Sequence, residues 1–321
     1  MTTKCSFCGE EAAIRIEYAR LNLCKKHYIE FIERKVLRSI KRYNLFKPGD
    51  HVLVAVSGGK DSSTALALLA KIAKEMNLDI TALHINLGIN AYSEECVDKV
   101  KKLVEEHNVK LYVISLKDLL GLGIPEIARK ARRPPCSVCG IIKRYLINAF
   151  AIEIGADVVV TGHNLDDMMA YAFKEFIGQN LEAIRKLSPK TETIKNLVVG
   201  RARILYDVYE DEVLRYALYT GLPFVSSKCP FALRESLELD LKKLINELEE
   251  RYPSTKIGFI RRLAKNIEKY PETRNEYKKC TICGLVSSGN ECSFCKLTRR
   301  VFGEPKGPYV RRKIREIIDR D

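Results

Sequence analysis

Residues 52–62 of the chain read Val-Leu-Val-Ala-Val-Ser-Gly-Gly-Lys-Asp-Ser. The first five are apolar and mostly β-branched, which predicts a strand buried on both faces, as in a parallel sheet. Gly58 and Gly59 have no Cβ atom, so the backbone can turn sharply there and approach a ligand closely. Residues 62–77 then show apolar side chains at helical spacing, with Ser62 or Ser63 as the predicted N-cap. A strand, a glycine turn and a helix start together present backbone N–H groups to an anion.

This glycine turn differs from a Walker P-loop. That motif requires a glycine where this chain has Val54, and a Ser or Thr where it has Asp61. The sequence Ser57–Ser62 instead resembles the PP-loop of the N-type ATP pyrophosphatases. The resemblance implies cleavage of ATP to AMP and pyrophosphate through an adenylylated intermediate. An ordinary glycine turn in an α/β protein is the alternative.

Charge and cysteine content point to a polyanionic partner and to bound metal. The 321 residues carry a formal net charge of +14, which favours RNA binding over simple solubility. No apolar run approaches the roughly 20 residues that span a bilayer, and a cysteine motif begins almost at once, leaving no room for a signal peptide. We therefore expect a cytoplasmic protein with no membrane partner. In that compartment the eleven cysteines predict metal binding rather than disulfides.

Strands and helices alternate through the middle of the chain. Strand-like runs occupy 52–56, 80–86, 111–115 and 157–161, and helical runs occupy 62–77, 93–107, 140–154 and 165–177. This order predicts an α/β fold with a doubly wound parallel sheet, whose ligands bind at the carboxyl ends of the strands. We expect three domains: a zinc finger with a basic linker helix (1–46), the catalytic domain (47–270), and a zinc ribbon with a basic tail (271–321).

Two sets of four metal-ligand residues flank this core. They are Cys5, Cys8, Cys24 and His27 near one end, and Cys280, Cys283, Cys292 and Cys295 near the other. Pairs separated by two residues hold an ion from a tight turn, and these soft donors suit tetrahedral zinc. We predict two closed Zn²⁺ sites with structural or RNA-contacting roles. The basic helix predicted at 28–46 and the basic tail at 296–320 are expected either to contact RNA or to be solvated.

Two further stretches fall at predicted strand ends. His84 and Ile85 close the second strand, and Thr161-Gly162-His163-Asn164-Leu165-Asp166-Asp167 follows the fourth. Gly162 would allow close approach to a nucleotide. Asp166 and Asp167 would either hold Mg²⁺ or cap the next helix.

A second chemical centre surrounds Cys136 and Cys139, which lie between basic residues at a predicted helix start. Positive charge and a helix N-terminus both favour the thiolate. Cys229 follows a strand-like run at 223–225, whereas Cys96 is expected to be an ordinary buried or surface thiol. The three thiolates would bind a [4Fe–4S] cluster with one iron open to an external ligand. Persulfide and disulfide chemistry and a structural metal site are the alternatives.

Taken together, these motifs resemble the tRNA 2-thiolation enzymes of the TtuA and NcsA type, relatives of TtcA. The shared order is a zinc knuckle, the PP-loop, R-x-P-x-C-x-x-C-G-x-x-K-R, T-G-H-N-x-D-D, a late single cysteine and a zinc ribbon. The resemblance implies catalytic roles for Cys136, Cys139, Cys229, Asp61, Lys143 and Asp167. It implies ATP binding by Ala55, Ser57, Gly58, Gly59, Lys60, Asp61, Ser62, His84, Ile85, Gly162 and Asp166.

The resemblance also implies cofactors and partners. These are ATP, Mg²⁺, a [4Fe–4S] cluster, two Zn²⁺ ions, tRNA as substrate, and either sulfide or a ubiquitin-like thiocarboxylate protein as sulfur donor. A homodimer is expected, with the thiolated uridine at tRNA position 54 or 34. Rival functions are 2-thiocytidine or lysidine synthesis by a related enzyme, and RNA binding by a non-catalytic zinc-ribbon protein.

Overall fold

The computed structural model describes residues 3–272 and 277–320. The strands in these ranges are β1 (Ile14–Ile16), β2 (Leu21–Leu23), β3 (His51–Ala55), β4 (Asp79–Asn86), β5 (Lys110–Ser115), β6 (Val158–Val160), β7 (Gly200–Ala202), β8 (Lys278–Lys279) and β9 (Val286–Ser287). The α-helices in them are α1 (Lys25–Arg42), α2 (Lys60–Ala73), α3 (Asn90–His107), α4 (Leu116–Leu120), α5 (Ile124–Ala131), α6 (Pro135–Glu153), α7 (Leu165–Ile177), α8 (Leu181–Arg185), α9 (Glu210–Thr220), α10 (Leu237–Arg251), α11 (Thr255–Lys265), α12 (Ser293–Phe302) and α13 (Gly307–Ile318).

A five-stranded parallel sheet forms the centre of the molecule, in the order β5-β4-β3-β6-β7. Val52 of β3 lies opposite Ile80 of β4 on one side and Val158 of β6 on the other. Chain order reverses between β3 and β6, and in such sheets ligands bind at this switch point. The predicted fold class is confirmed, and the four predicted strands match the observed ones to within one residue at each end.

Both faces of the sheet are covered by helices. Apolar residues of α1, α2 and α9 pack with β3 and β6 on one face, and those of α5, α6 and the C-terminal region pack on the other. A third apolar cluster joins α7, α10 and α11. Every strand of the sheet interior is therefore buried on both faces, as the continuous apolar run at 52–56 predicted. No helix in the described ranges combines the length and apolarity needed to cross a bilayer.

The N-terminal module is joined to the sheet domain by buried polar contacts. Lys35 of α1 and Glu212 of α9 form an ion pair at 2.5 Å, with side chains only 6% and 4% exposed. The Tyr18 hydroxyl donates to the same carboxylate, and Lys35 donates to the Tyr18 oxygen at 2.6 Å. Tyr28 is fully buried in the core shared with the sheet. The boundaries at 46 and 270 stay a prediction.

Two local predictions for the sheet domain differ from the structure. Helix α2 begins at Lys60 with Gly59 as its N-cap, so Ser62 and Ser63 lie inside the helix. Residues 223–225 form no strand and pair with none of the strands of the sheet. Residues 178–206, beyond the last helical run identified in the sequence, contain helix α8 and edge strand β7.

The basic tail at 296–320 is not a solvated end. It contains most of α12 and all of α13, and α13 packs against α6. Val310 and Ile314, one helical turn apart, are fully buried in the core. The apolar stripe on α13 explains the difference, because it gives a strongly basic segment one face that must be covered.

Candidate active site

The glycine turn between β3 and α2 forms a closed loop. The Ser62 hydroxyl accepts a hydrogen bond from the Ser57 backbone N–H at 3.0 Å and donates one to the Gly59 carbonyl at 3.1 Å. Gly58 has a φ of +88°, and a Cβ there would lie 3.0 Å from the Cα and Cβ of Cys96. The position therefore requires glycine. We call Ser57–Ser62 the phosphate loop, because its helix start has the polarity that attracts anions.

Charged side chains form a network of ion pairs and hydrogen bonds at the start of α2. Lys60 contacts Asp61 at 2.8 Å and Glu210 at 3.0 Å, and Asn164 donates to the other oxygen of Asp61 at 3.0 Å. Burial raises the pKa of Asp61, against the opposing effect of Lys60. Lys242, from helix α10, completes the network.

Lys242 donates to Asp167 at 2.5 Å and to Glu210 at 2.9 Å. Two carboxylates in contact with its ammonium outweigh the effect of burial and raise the pKa of Lys242. No motif near residue 242 connects α10 with the phosphate loop. Lys242 and Glu210 are thus charged residues of this region that sequence reasoning missed.

The segment after β6 adjoins the phosphate loop directly. A Cβ on Gly162 would lie 2.6 Å from the backbone nitrogen of Ser62, so these two backbones are as close as glycine permits. Asn164 and Asp167 cap α7 reciprocally, each side chain accepting from the other's backbone N–H. Asp166 is buried, accepting from Lys256 at 2.5 Å and from the Glu210 N–H at 2.7 Å. Asp167 therefore caps the helix as well as facing Lys242, and metal binding by either aspartate stays a prediction.

A cavity of about 650 Å³ opens beside the phosphate loop. It is lined by many of the residues expected to bind ATP or to act in catalysis: Ala55, Ser57, Asp61, Ser62, His84, Ile85, Gly162, Cys136, Cys139, Lys143 and Cys229. Gly58, Gly59, Lys60, Asp166 and Asp167 are not part of its lining, although the first three belong to the phosphate loop. The Nδ1–H of His84 donates to the Val56 carbonyl at 2.8 Å, and burial lowers the pKa of His84.

Three thiols enter this cavity from two directions. Cys136 and Cys139 lie in the first turn and a half of α6, and Cys229 lies on the loop that follows α9. That loop is tied to both chemical centres. Val225 N–H donates to the Gly58 carbonyl at 2.8 Å, and the Cys136 thiol donates to the Phe231 carbonyl at 3.0 Å.

One expectation about the thiols is wrong in part. Burial raises the pKa of Cys139, and the positive charges of Lys143 and Arg144 only partly oppose this effect. Cys96 also lines the cavity, where burial raises its pKa and Cys229 is among its neighbours. It is therefore a fourth thiol of the cavity rather than an ordinary core residue.

The two terminal ligand sets fit single metal ions. Within each set the four ligand atoms all lie within 4.8 Å of one another, and among residues 3–272 and 277–320 these are the sets that do so. Cys8 and Cys24 sulfurs are 3.8 Å apart, as are those of Cys283 and Cys292. A tetrahedral zinc with Zn–S bonds of about 2.3 Å places its sulfurs about 3.8 Å apart. The three cavity thiols are not such a set, and their wider spacing suits a cluster rather than one ion.

Comparison with known proteins places this arrangement in a family. Residues 30–229 match the family model described as a PP-loop domain, and residues 4–29 match the N-terminal LIM domain of 2-thiouridine synthetase TtuA. The tRNA-5-methyluridine(54) 2-sulfurtransferase of Pyrococcus horikoshii is 43% identical over 91% of this chain and 93% of its own length. This chain belongs to the PP-loop family of tRNA 2-sulfurtransferases.

Other members of the tRNA 2-sulfurtransferase family agree in length and fold. The tRNA-5-methyluridine(54) 2-sulfurtransferase of Thermus thermophilus is 34% identical, over 94% of this chain and 93% of its own. The solved structure of the U34-tRNA thiolase NcsA from Methanococcus maripaludis, with its [4Fe-4S] cluster, is 29% identical with a TM-score of 0.77. The match covers 94% of this chain and 96% of the NcsA chain. The resemblance drawn from the sequence motifs is confirmed.

Proposed function

We propose that this protein is an ATP-dependent tRNA 2-sulfurtransferase that replaces the 2-oxygen of the uridine at tRNA position 54 with sulfur. One observation carries the proposal: the phosphate loop and three thiols line a single cavity of about 650 Å³. Position 54 is favoured over 34 because relatives named for position 54 are 43%, 34% and 35% identical, whereas the U34 thiolase is 29% identical.

Activation of the uridine oxygen is the first task of the site. A carbonyl oxygen is a poor leaving group, so the 2-oxygen attacks the α-phosphorus of ATP and pyrophosphate leaves. The backbone N–H groups of the phosphate loop and the start of α2 hold the negatively charged phosphates. Lys143 lines the same cavity, and its ammonium offsets charge that develops on the α-phosphate. Asp61 and Asp167 are the residues that would hold Mg²⁺ together with ATP, and the metal would offset negative charge on the phosphates.

Sulfur replaces the adenylylated oxygen in the second step, and AMP leaves. Cys136, Cys139 and Cys229 fit a [4Fe–4S] cluster, because they face one cavity from two elements and stand too far apart for one ion. When bound, such a cluster supplies an iron site that carries the sulfur to be transferred. Lys143 follows Cys139 by one helical turn on α6, so the residue that offsets phosphate charge is fixed relative to the thiols.

Further components follow from the rest of the chain. The two terminal sets each hold a Zn²⁺ ion, and the modules around them contribute to tRNA binding, as the net charge of +14 supports. Sulfide or a ubiquitin-like thiocarboxylate protein donates sulfur, and the protein acts as a homodimer. The cytoplasm is the proposed compartment, supported by relatives named cytoplasmic tRNA 2-thiolation protein 1.

The decisive test is thiolation of a defined tRNA. Anaerobically prepared protein containing iron is incubated with ATP, sulfide and a tRNA transcript, and the nucleosides are analysed by mass spectrometry. We expect one 2-thiouridine per tRNA, absent from a transcript in which U54 is replaced by C and retained when U34 is replaced. Sulfur at position 34, or in a cytidine, would refute the assignment. Nucleosides from cells lacking the protein should show the same single loss.

Two variants separate the roles of the two centres. Asp61→Asn should abolish thiolation while leaving iron and zinc content unchanged, because it alters the phosphate loop alone. Cys229→Ala should lose the iron and the absorption near 400 nm but keep two zinc ions. Full activity in Cys229→Ala without iron would refute the cluster, and it would favour direct attack of sulfide on the adenylylated uridine with AMP as the leaving group.

A further inference from the structure

A second groove of about 560 Å³ adjoins the active-site cavity. It lies between α6, β7 and the C-terminal region around β9. Arg144 of α6 and Arg201 of β7 line both the groove and the cavity, so the two spaces meet at these guanidinium groups. Of the fifteen described residues that line the groove, three are basic (Arg144, Arg201 and Lys186) and none is acidic.

Among residues 3–272 and 277–320, no carboxylate forms an ion pair with either arginine at this junction. Neither guanidinium forms a hydrogen bond or an ion pair with another residue in the described ranges. Burial lowers the pKa of Arg201, and the nearby charge of Arg144 lowers it further. Arg203, two residues along the same strand exit, provides a contrast, since it donates to the carbonyls of Ser188 and Lys186. Arg201 is half-buried and Arg144 is exposed, and a half-buried guanidinium beside a like charge is unfavourable unless a ligand supplies an anion.

We propose that Arg144 and Arg201 bind one phosphodiester of the tRNA, next to the nucleotide whose base enters the cavity, and that the groove holds the adjoining backbone. This inference rests on the proposed function. A base and its own phosphate belong to one nucleotide, so a base at the ATP site places a phosphate close to the cavity rim. Guanidinium forks match phosphate oxygens in geometry, and Lys186 adds a point charge along the groove. Ser287 and Ser288 add hydroxyl donors to its far wall.

An RNA backbone fits this groove better than a protein tail. The thiocarboxylate end of a donor protein carries one negative charge, which one arginine would satisfy. Three basic side chains along one groove, with no carboxylate among its described lining residues, suit the repeated charge of a polynucleotide. The protein tail is therefore the competing outcome that the experiment must separate.

The test measures equilibrium binding of an unmodified tRNA transcript to the intact, metal-loaded protein over a range of salt concentrations. Arg144→Gln and Arg201→Gln should each weaken binding about tenfold at about 0.15 M salt and lower the slope of log affinity against log salt by about one. Zinc and iron content should be unchanged. Arg251→Gln is the matched control: it removes an exposed guanidinium at the end of α10, away from both cavities, and should bind like wild type. Arg144→Lys, which keeps the charge, should keep the salt slope and guards against an effect of folding.

Two readouts identify the shared phosphate. The double variant Arg144→Gln/Arg201→Gln should weaken binding by less than the product of the single losses, because both side chains contact one group. Phosphate-ethylation interference should show one strong signal beside the target nucleotide in wild type, and this signal should vanish in both single variants.

The outcomes separate this inference from the proposed function. If wild type thiolates tRNA and both glutamine variants bind tRNA as tightly as wild type, the groove assignment alone is wrong. The same holds if the variants lose thiolation with a protein donor but not with sulfide, which would make the groove a donor site. A wild-type protein that binds no tRNA would overturn both proposals.

Discussion

Substituting Gly162 with alanine gives a sharp test of the contact between the β6 exit and the phosphate loop. The added Cβ would lie 2.6 Å from the Ser62 nitrogen and 2.8 Å from the Asp61 carbonyl carbon, both backbone atoms of α2. Ordinary van der Waals contact begins at 3.4 Å, so the two backbones must separate by about 0.8 Å. No side chain can rotate to absorb this shift, and the displaced atoms belong to the phosphate loop.

Two quantities follow from that displacement. Forcing an extra methyl group into a packed site costs about 1–3 kcal/mol of unfolding free energy. Moving catalytic groups by about 1 Å costs about 100-fold in rate, since the reacting atoms lose alignment. We therefore expect Gly162→Ala to unfold at lower urea concentration and to thiolate tRNA about 100-fold more slowly, with zinc and iron content retained.

Gly258→Ala is the matched control for this prediction. Gly258 lies inside α11, and a Cβ there meets no atom within 4 Å. The same substitution should stabilise the protein by about 0.5–1 kcal/mol, because alanine favours helix, and should leave thiolation unchanged. Wild-type stability and turnover in Gly162→Ala would falsify the close-approach argument, as would an equal loss in both variants.

Three more predictions concern stability, pH and metal. Lys35→Met should lower the unfolding free energy, measured by urea titration, by about 3–5 kcal/mol, because it leaves the Glu212 carboxylate buried without its ammonium partner. The double variant Lys35→Met/Glu212→Gln should recover most of this loss, because it removes the buried charge as well. The pKa of His163 is lowered to about 4 by burial and then by Arg203 and Arg201, so its neutral form contributes stability that is complete above about pH 6.5 and lost as pH falls toward 4. Melting temperatures of His163→Gln should accordingly fall less than those of wild type over that interval; parallel curves would contradict this. Cys280→Ser should release one of two zinc ions and loosen α13 from α6, seen as faster amide exchange in α6, while a variant that loses zinc with unchanged exchange would argue against that coupling.

Local sequence signals predicted the sheet domain well. The run at 52–56 and the glycine turn fix a buried strand followed by a helix, and α7 matches its predicted bounds at both ends. The two terminal ligand sets and the paired thiols of α6 could be predicted from the sequence, because the spacing of paired ligands depends on only a few consecutive residues. These features depend on residues that are close together in the sequence, so the sequence alone is enough to predict them.

Features that depend on distant packing were not readable. Lys242 reaches Asp167 and Glu210 only because α10 packs on α7, and nothing near residue 242 indicates those contacts. In the sequence, Cys96 looks like any cysteine of a helix. Only the structure shows that its backbone packs against Gly58. The packing of 296–320 was not predicted, because most of its residues are charged or polar. The apolar stripe that packs on the core includes only a few residues, among them Val310 and Ile314 on one face of α13.

The packing of α12 and α13 on α6 bears on how the protein is made. Tyr145, in the middle of α6, stacks on Phe294 at 3.8 Å and donates to the Gly307 carbonyl, and Glu153 at its end pairs with Arg311 and Arg315. During synthesis, α6 leaves the ribosome long before those partners are translated. The face of α6 that packs on α12 and α13 is therefore exposed at first, and Cys136 and Cys139 lie in the first turns of the same helix. The packing of α6 is therefore complete only after the C-terminal region has been synthesised, because its contacts with α12 and α13 join residues far apart in the chain.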